Sequence, residues 1–277
     1  MAIITISRGI KSRGAELAKQ LSERLEYTCK NREVVLEGAK KYNIMAEDLF
    51  RQLEKSPGLW QKLTREHERN QIFLQCSLID AVKQDNIIYH GFAGQLFLRG
   101  IRHVLKVHLY APLEERVRAV MEESGKNYDE ASYYVAKIDE QRMLWVKYVC
   151  GENWRDPSLY DISFSTENMT IDTICEIVAL TVGRPEFRTS AEAARGLEDL
   201  SLVCEVKAAL ASDDKMWNIP ITVAANNGVV TLRGTVKDSK VRDAFVAIAS
   251  QVKGVTACQV NISLTTDRLS KGTFGHD

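Results

Sequence analysis

Short apolar segments alternate with amphipathic helical segments along residues 1–183. The apolar segments lie at 2–7, 86–90, 104–110 and 160–165, and β-branched residues dominate the first of them. Helical periodicity follows the later segments, at 113–123, 127–150 and 169–182. Strands that alternate with helices form a parallel sheet flanked by helices, so the sequence predicts an α/β fold for this part.

The pattern changes after Gly183. Residues 184–198 are polar and alanine-rich, and we interpret them as a linker to a second domain at 199–265. The second domain has an α+β order, with helices at 200–211 and 239–252 and strands at 219–225, 229–236 and 255–264. Asn227 and Gly228 lie between two alternating apolar runs and predict a hairpin turn, because both tolerate positive φ. Residues 266–277 are interpreted as a frayed tail.

The composition excludes several classes of protein. The 277 residues include 37 basic and 37 acidic side chains, and this balance argues against binding to nucleic acid or to an anionic membrane. The N-terminal sequence M-A-I-I-T-I-S-R-G has no signal-peptide pattern, and no run approaches the ~18 apolar residues of a membrane span. The six cysteines form no Cys-x-x-Cys pair, which predicts free thiols and no metal site. We therefore expect a soluble, cytoplasmic protein.

The turn after the first strand is basic and leads into a helix. Gly9 and Gly14 have the spacing of the P-loop glycines, but Ala15 and Glu16 stand where that motif has its lysine and its hydroxyl residue. A helix N-terminus favours anions through its exposed N–H groups and its dipole. The turn is therefore either a nucleotide phosphate site or a solvated basic turn without a ligand. The residues that would hold phosphate are Ser7, Arg8, Lys11, Ser12, Arg13 and Gly14.

Six motifs occur in an order and spacing that resemble a known family. They are I-T-I-S-R at 4–8, G-A-E-L-A at 14–18, N-R-E-V at 31–34, L-K-V-H-L-Y-A-P-L-E at 105–114, I-D-E-Q-R at 138–142 and W-R-D-P-S-L-Y-D at 154–161. Together they resemble the cytidylate kinase-like family, a divergent branch of the P-loop nucleoside monophosphate kinases. The resemblance covers residues 2 to about 182 and implies a P-loop kinase-like sheet.

This resemblance implies roles for individual residues. It implies ATP and Mg²⁺ as cofactors, a helical insertion for the acceptor nucleotide near 31–83, and a lid near 125–155. Lid arginines of such kinases neutralise charge on the transferring phosphoryl group. By position the candidates are Arg116, Arg118 and Arg142, with Asp139 to orient one of them, and Arg32 and Asp161 as contacts to the acceptor. The alternative for each arginine is a surface salt bridge on a charged helix.

The loop departs from the family pattern. The family sequence Y-G-S-G-G-R-E is I-K-S-R-G-A-E at 10–16 here, so Lys11 and Arg13 replace two glycines. The family sequence Gly-Arg-Gly after the second strand is replaced by residues 91–93, G-F-A, and Asn31 replaces an aspartate. Because side chains at glycine positions hinder close approach of the backbone to a phosphate, these changes argue against a fast kinase.

Residues 200–264 resemble a BON domain. The pattern G-x-V-x-L-x-G-x-V runs from Gly228 to Val236, and we expect Gly234 to mark a bulge or a close backbone approach. The resemblance implies a hydrophobic ligand or a protein partner for this domain. The balanced charge and the missing export signal argue against a membrane partner.

Two functions remain open at this point. The first is ATP-dependent phosphoryl transfer to CMP or a related small acceptor, with Arg13 and Gly14 on phosphate and Arg116 and Arg142 on the transition state. The second is a sensor of a nucleotide or phosphorylated metabolite that has lost turnover and is coupled to the BON domain. The missing P-loop lysine and hydroxyl favour the sensor, whereas the retained Arg142, Asp139 and the Tyr160-Asp161 segment favour the kinase.

Overall fold

The computed structural model describes residues 2–42, 64–91 and 93–265. The chain divides into two compact units after Glu198, and each unit has its own core. The predicted tail at 266–277 and the part 43–63 of the predicted insertion lie outside the described residues. Within the described residues, every helix is too short or too polar to span a bilayer.

The first unit contains a parallel sheet whose strands have the order β2-β3-β1-β4-β5. The strands are β1 (Ile3–Arg8), β2 (Thr28–Asn31), β3 (Ile87–His90), β4 (Val104–Tyr110) and β5 (Ile162–Ser165). The predicted α/β fold is confirmed. Strand β2 was not predicted from the sequence, because its four residues, T-C-K-N, form a half-exposed edge strand without an apolar run.

Helices cover both faces of this sheet. They are α1 (Gly14–Leu25), α2 (Arg32–Lys40), α3 (Thr64–Val82), α4 (Gly94–Phe97), α5 (Leu113–Ser124), α6 (Tyr128–Cys150) and α7 (Ile171–Val182). The apolar residues of α1 and α7 pack on one face of the sheet, with Ile4 and Ile6 of β1 among the buried contacts. Successive side chains of a strand point to opposite faces, so Thr5 and Ser7 lie on the other face, where both are buried.

Helices α5 and α6 form an antiparallel pair joined by a short turn. Gly125 ends α5 in the left-handed conformation, and Asn127 and Glu130 form a capping box that begins α6. The two helices bury Val117 and Val120 of α5 against the start of α6. This packing fixes the first turn of α5 and the middle of α6 relative to each other.

The second unit is a small α+β domain with a mixed sheet in the order β6-β7-β8. Its elements are the part of α8 (Ala191–Ser212) from Asp199 onward, β6 (Ile221–Asn226), β7 (Val229–Val236), α9 (Ser239–Gln251) and β8 (Ala257–Leu264). Strand β7 is antiparallel to β6 and parallel to β8. Helix α8 begins at Ala191 rather than near residue 200, so the second half of the predicted linker is helical.

The two glycine predictions in this unit are confirmed. Asn227 and Gly228 both have positive φ, at 50° and 79°, as the hairpin turn requires. A Cβ at Gly234 would lie 2.5 Å from Cδ1 of Ile221 and 3.0 Å from the carbonyl oxygen of Pro220. Only glycine therefore fits where β7 passes the start of β6.

Candidate phosphate-binding site

The loop between β1 and α1 has a left-handed backbone at two residues that are not glycine. Lys11 has a φ of 56° and Arg13 a φ of 58°, a conformation that costs about 1–2 kcal/mol for a residue with a side chain. Ser12, between them, is buried, and its Oγ has no hydrogen-bond partner among the described residues. The loop of residues 9–13 thus keeps a shape that normally requires glycine. Backbone strain of this kind concentrates at functional sites.

Arg116 of α5 and Asp139 of α6 hold this loop at Ile10. The Ile10 N–H donates to Asp139 at 3.3 Å, and Arg116 Nη1 donates to the Ile10 carbonyl oxygen at 3.4 Å. The same Nη1 donates to the Asp139 carboxylate at 2.7 Å. Both side chains are buried, with 10% and 6% exposure, so little solvent weakens the pair. Gly9 permits this approach, because a Cβ there would lie 2.6 Å from Arg116 Nη1.

Gly14 makes room for a second arginine. A Cβ at Gly14 would lie 2.0 Å from Cδ of Arg8, so the Arg8 side chain crosses directly over the start of α1. Arg8 Nη2 lies 3.4 Å from Nδ1 of His90, at the end of β3. Burial, followed by the Arg8 charge, lowers the pKa of His90 to about 4, so His90 is neutral at pH 7 and accepts this bond. Arg142 of α6 donates from Nη1 to the Arg8 carbonyl oxygen at 3.2 Å.

Positive charges prevail at the centre of the site. Burial, followed by the charge of Arg8, lowers the pKa of Arg142 to about 10 against the opposing effect of Asp139. Arg32 and Arg116 act in the same direction as Arg8, so three guanidinium groups oppose one carboxylate around Arg142. We call Arg8, Arg32, Arg116 and Arg142 the arginine cluster. An excess of positive charge in a partly buried site favours an anion.

Comparison with known proteins identifies the families of both units. The sequence model of the cytidylate kinase-like family matches residues 3–168, more than half of the chain. The chain belongs to the cytidylate kinase-like family. The BON domain model matches residues 199–266. Both family assignments made from the sequence motifs are thereby confirmed.

Individual relatives of this cytidylate kinase-like chain are distant. The cytidylate kinase of Thermococcus kodakarensis is 26% identical over 151 residues, which cover 52% of this chain and 77% of the relative. That of Methanocaldococcus jannaschii is 23% identical over 153 residues, which cover 52% of this chain and 86% of the relative. A crystal structure of an uncharacterized protein from Eubacterium ventriosum has a TM-score of 0.52 and 18% identity, and the match covers 66% of this chain and 100% of that chain. The first unit therefore has a kinase-like nucleotide-binding fold.

The predicted phosphate residues separate into two groups in this cytidylate kinase-like domain. Arg8, Ser12 and Gly14 meet at the carboxyl end of β1, as described above. The side chains of Lys11 and Arg13 contact carboxylates instead. Lys11 pairs with Glu123 of α5, and Arg13 donates to the Glu16 carboxylate from Nε at 2.9 Å and from Nη2 at 2.7 Å.

A buried polar network that the sequence analysis missed surrounds Ser7, the remaining phosphate candidate. Tyr160 donates from Oη to the carbonyl oxygen of Trp154 at 2.5 Å and accepts from Nε2 of Gln95 at 3.2 Å. Ser7 Oγ lies 3.1 Å from the same Oη. His108 stacks on the Tyr160 ring with centroids 4.7 Å apart. The only sequence signal was the position of Tyr160 in a family motif, since the network is formed by tertiary contacts.

The structure places the two acceptor candidates differently. Arg32 is the exposed first residue of α2, and its charge contributes to lowering the pKa of both Arg8 and Arg142. Asp161 does not reach the arginine cluster, because it accepts hydrogen bonds from the Lys106 backbone N–H at 2.8 Å and from Lys106 Nζ at 3.2 Å. Strand β4 continues from Lys106 to Tyr110, which places Asp161 roughly 13 Å from the carboxyl edge of the sheet. In this position Asp161 anchors β5 to β4.

The donor set fits the phosphates of a nucleotide but does not fit Mg²⁺ held by the protein. Ala15 stands at the position of the P-loop lysine and carries no charge. Glu16 stands at the position of the P-loop hydroxyl residue that contacts Mg²⁺, and its carboxylate is hydrogen-bonded to Arg13. In the described part of the chain, no group of three or more His, Cys, Asp or Glu side chains could hold a metal ion. The buried Ser12 hydroxyl and the arginine cluster are, by contrast, donors that match phosphate oxygens.

Proposed function

We propose that the first unit binds a nucleoside phosphate with its phosphoryl groups between the loop of residues 9–13 and the arginine cluster. The observation that carries the proposal is the convergence of three arginines at the end of β1. Arg142 donates to the Arg8 carbonyl oxygen and Arg116 to the Ile10 carbonyl oxygen, while the Arg8 side chain crosses the start of α1. Like charges that are brought together in a partly buried site repel one another, and a phosphate of charge near −2 relieves that repulsion. The guanidinium fork is also the side chain best matched to phosphate oxygens.

The reaction that best fits this site is ATP-dependent phosphoryl transfer to a nucleoside monophosphate. Phosphoryl transfer needs positioning and charge neutralisation more than covalent chemistry, and arginines supply both. Arg116 and Arg142 approach the loop from α5 and α6 and would neutralise charge on the transferring group. CMP is the first acceptor to test, because the two relatives described above are cytidylate kinases. We place the reaction in the cytoplasm, where ATP is available.

A sensor without turnover is the second candidate. It is favoured by the first turn of α1, where Ala15 and Glu16 replace the lysine and the hydroxyl residue of a P-loop. Such a domain would bind the same nucleotide and transmit its occupancy to the BON domain. We propose a protein or hydrophobic ligand for the BON domain, on which Val260 and Leu264 of β8 are exposed by 37% and 42%.

The test is a calorimetric titration with ATP and Mg²⁺ and with CMP, followed by an ADP-release assay. We expect both nucleotides to bind, and ADP release to fall about a hundredfold in Arg142→Ala, the size of effect seen when one transition-state donor is removed. Arg24→Ala is the matched control, because Arg24 is an exposed arginine near the end of α1 that pairs with Glu176. Arg118, the third lid candidate, is exposed on α5, and Arg118→Ala tests it separately. Binding without ADP release would establish the sensor. If neither nucleotide binds, the proposed function is wrong.

A further inference from the structure

Lys11 has one charged partner among the described residues, and the contact lies at the surface. Its ammonium group pairs with the carboxylate of Glu123, near the end of α5. Glu123 lies about two helical turns beyond Arg116, or about 10 Å along the helix axis. The side chains are 32% and 64% exposed, and exposed pairs of this kind shift an equilibrium by a factor of only about two to five. A phosphate in the loop would therefore displace Glu123 from Lys11 at little cost.

Arg13, the other basic residue of the loop, has a different environment. Its guanidinium makes two hydrogen bonds to Glu16, since Arg13 is the N-cap of α1 and Glu16 lies in the first turn of that helix. Two bonds in parallel satisfy the fork geometry of arginine, so a phosphate would have to compete with both. Of the two basic side chains in the loop, Lys11 is the one that can be released by breaking one contact.

The loop lacks a lysine where a P-loop has one, yet it contains an unused donor. Position 15 is alanine, so a lysine charge for the phosphates can come only from another position. Ser12, next to Lys11, buries an Oγ that has no partner among the described residues. This Oγ lies 3.1 Å from the position of a Cβ on Gly9, on the inner side of the loop. A buried hydroxyl without a protein partner can donate to a phosphate oxygen at that place.

We propose that Lys11 is the phosphate-binding lysine of this site and that it exchanges Glu123 for the phosphate when the nucleotide binds. Glu123 is then an internal competitor of the nucleotide, and its pairing with Lys11 lowers the affinity of the site. This inference rests on the proposed function, since it names the lysine of the same site. It also explains why a residue with a side chain occupies a left-handed position that glycine would occupy without strain.

The experiment compares two lysine–glutamate pairs of this chain by calorimetric titration with ATP. Lys11→Met removes the charge and keeps a side chain on the strained backbone, and we expect it to weaken binding about ten- to a hundredfold, as for a hydrogen bond to a charged group. Glu123→Gln should strengthen binding about two- to fivefold. Lys19→Met and Glu23→Gln are the matched controls, because this exposed pair on α1 lies 3.9 Å apart and outside the loop. The controls should leave the affinity unchanged.

Lys11→Gly distinguishes loss of the Lys11 charge from loss of stability. Glycine relieves the strain at a φ of 56°, so this variant should melt at a higher temperature than the wild type and still bind ATP about ten- to a hundredfold more weakly. If the wild type binds ATP and Lys11→Met binds it equally well, the inference is overturned and the proposed function stands. The inference is also overturned if Glu123→Gln leaves the affinity unchanged. A wild type that binds no nucleotide overturns both.

Discussion

Asp139 and Arg116 lie on two different helices and hydrogen-bond to the N–H and the carbonyl group of the same residue, Ile10. The carboxylate accepts the Ile10 N–H, the guanidinium donates to the Ile10 carbonyl, and the two side chains meet at 2.7 Å. The pair therefore fixes the loop to the α5–α6 hairpin. One buried ion pair thus has two effects: it neutralises a buried charge and it shapes the backbone that would face a phosphate.

Replacement of Asp139 by asparagine should destabilise the first unit. Asp139→Asn leaves the Arg116 charge buried and unpaired, and the loss of one partner from a buried pair costs about 3–5 kcal/mol. Urea unfolding followed by circular dichroism measures this change. Glu140→Gln, at the exposed neighbouring position of α6, is the control and should change the free energy of unfolding by less than about 0.5 kcal/mol. Equal effects of the two substitutions would contradict the ion-pair argument.

Gly14→Ala should displace Arg8 and reduce the affinity for ATP. The added Cβ would lie 2.0 Å from Arg8 Cδ, so the side chain must leave its position over α1, and overpacking of this kind costs about 1–3 kcal/mol. Thermal unfolding and an ATP titration measure the two effects.

Gly196→Ala is the matched control for this substitution. Gly196 lies within helix α8, and a Cβ there would have no neighbour within 4 Å. Alanine should therefore stabilise the helix by about 0.5–1 kcal/mol without changing the affinity. If Gly14→Ala behaves like Gly196→Ala, Arg8 does not occupy the position described.

The sequence predicted the strands and helices that carry strong periodicity, and it failed where a residue depends on tertiary neighbours. The buried strands β1 and β4 were recognisable because each is rich in apolar residues, most of them buried. Strand β2 was not, since it lies at the edge of the described sheet and its residues form no apolar run. The predicted start of helix α8 was about nine residues beyond its real start at Ala191. The segment before residue 200 contains mostly alanine as its apolar residue, so it shows no clear apolar helix face.

The sequence predicted which types of residue the candidate site contains but not which of their side chains contact one another. The motif around Asp139 indicated an arginine partner, and the structure shows that this partner is Arg116. The contact between Lys11 and Glu123 has no sequence signal, because the two residues are far apart in the sequence and meet only in the folded chain. Asp161 illustrates the reverse case: its motif suggested a ligand contact, but the register of β5 on β4 places it beside Lys106.

The stability of the first unit should depend on pH through His90. Burial and the Arg8 charge lower the pKa of His90 to about 4 in the folded state, against about 6.5 in the unfolded chain. Between these values the unfolded state binds more protons, so stability is full above about pH 6.5 and is lost as the pH falls toward 4. Urea unfolding as a function of pH should show this loss, and His90→Asn should reduce it. An NMR titration of the imidazole with a midpoint near 6.5 would contradict the prediction.

Asp199 should stabilise the second unit by holding its hairpin turn. Its carboxylate accepts hydrogen bonds from the Asn227 N–H at 3.0 Å and from the Gly228 N–H at 3.3 Å. Asp199→Ala removes both bonds from a turn whose two residues have positive φ, and we expect a loss of about 1–3 kcal/mol. Glu198→Ala, at the exposed preceding position of α8, is the control. Urea unfolding of the full chain, with backbone NMR shifts of residues 226–229 as a local probe, measures the effect. Unchanged shifts and unchanged stability in Asp199→Ala would show that the turn forms without this carboxylate.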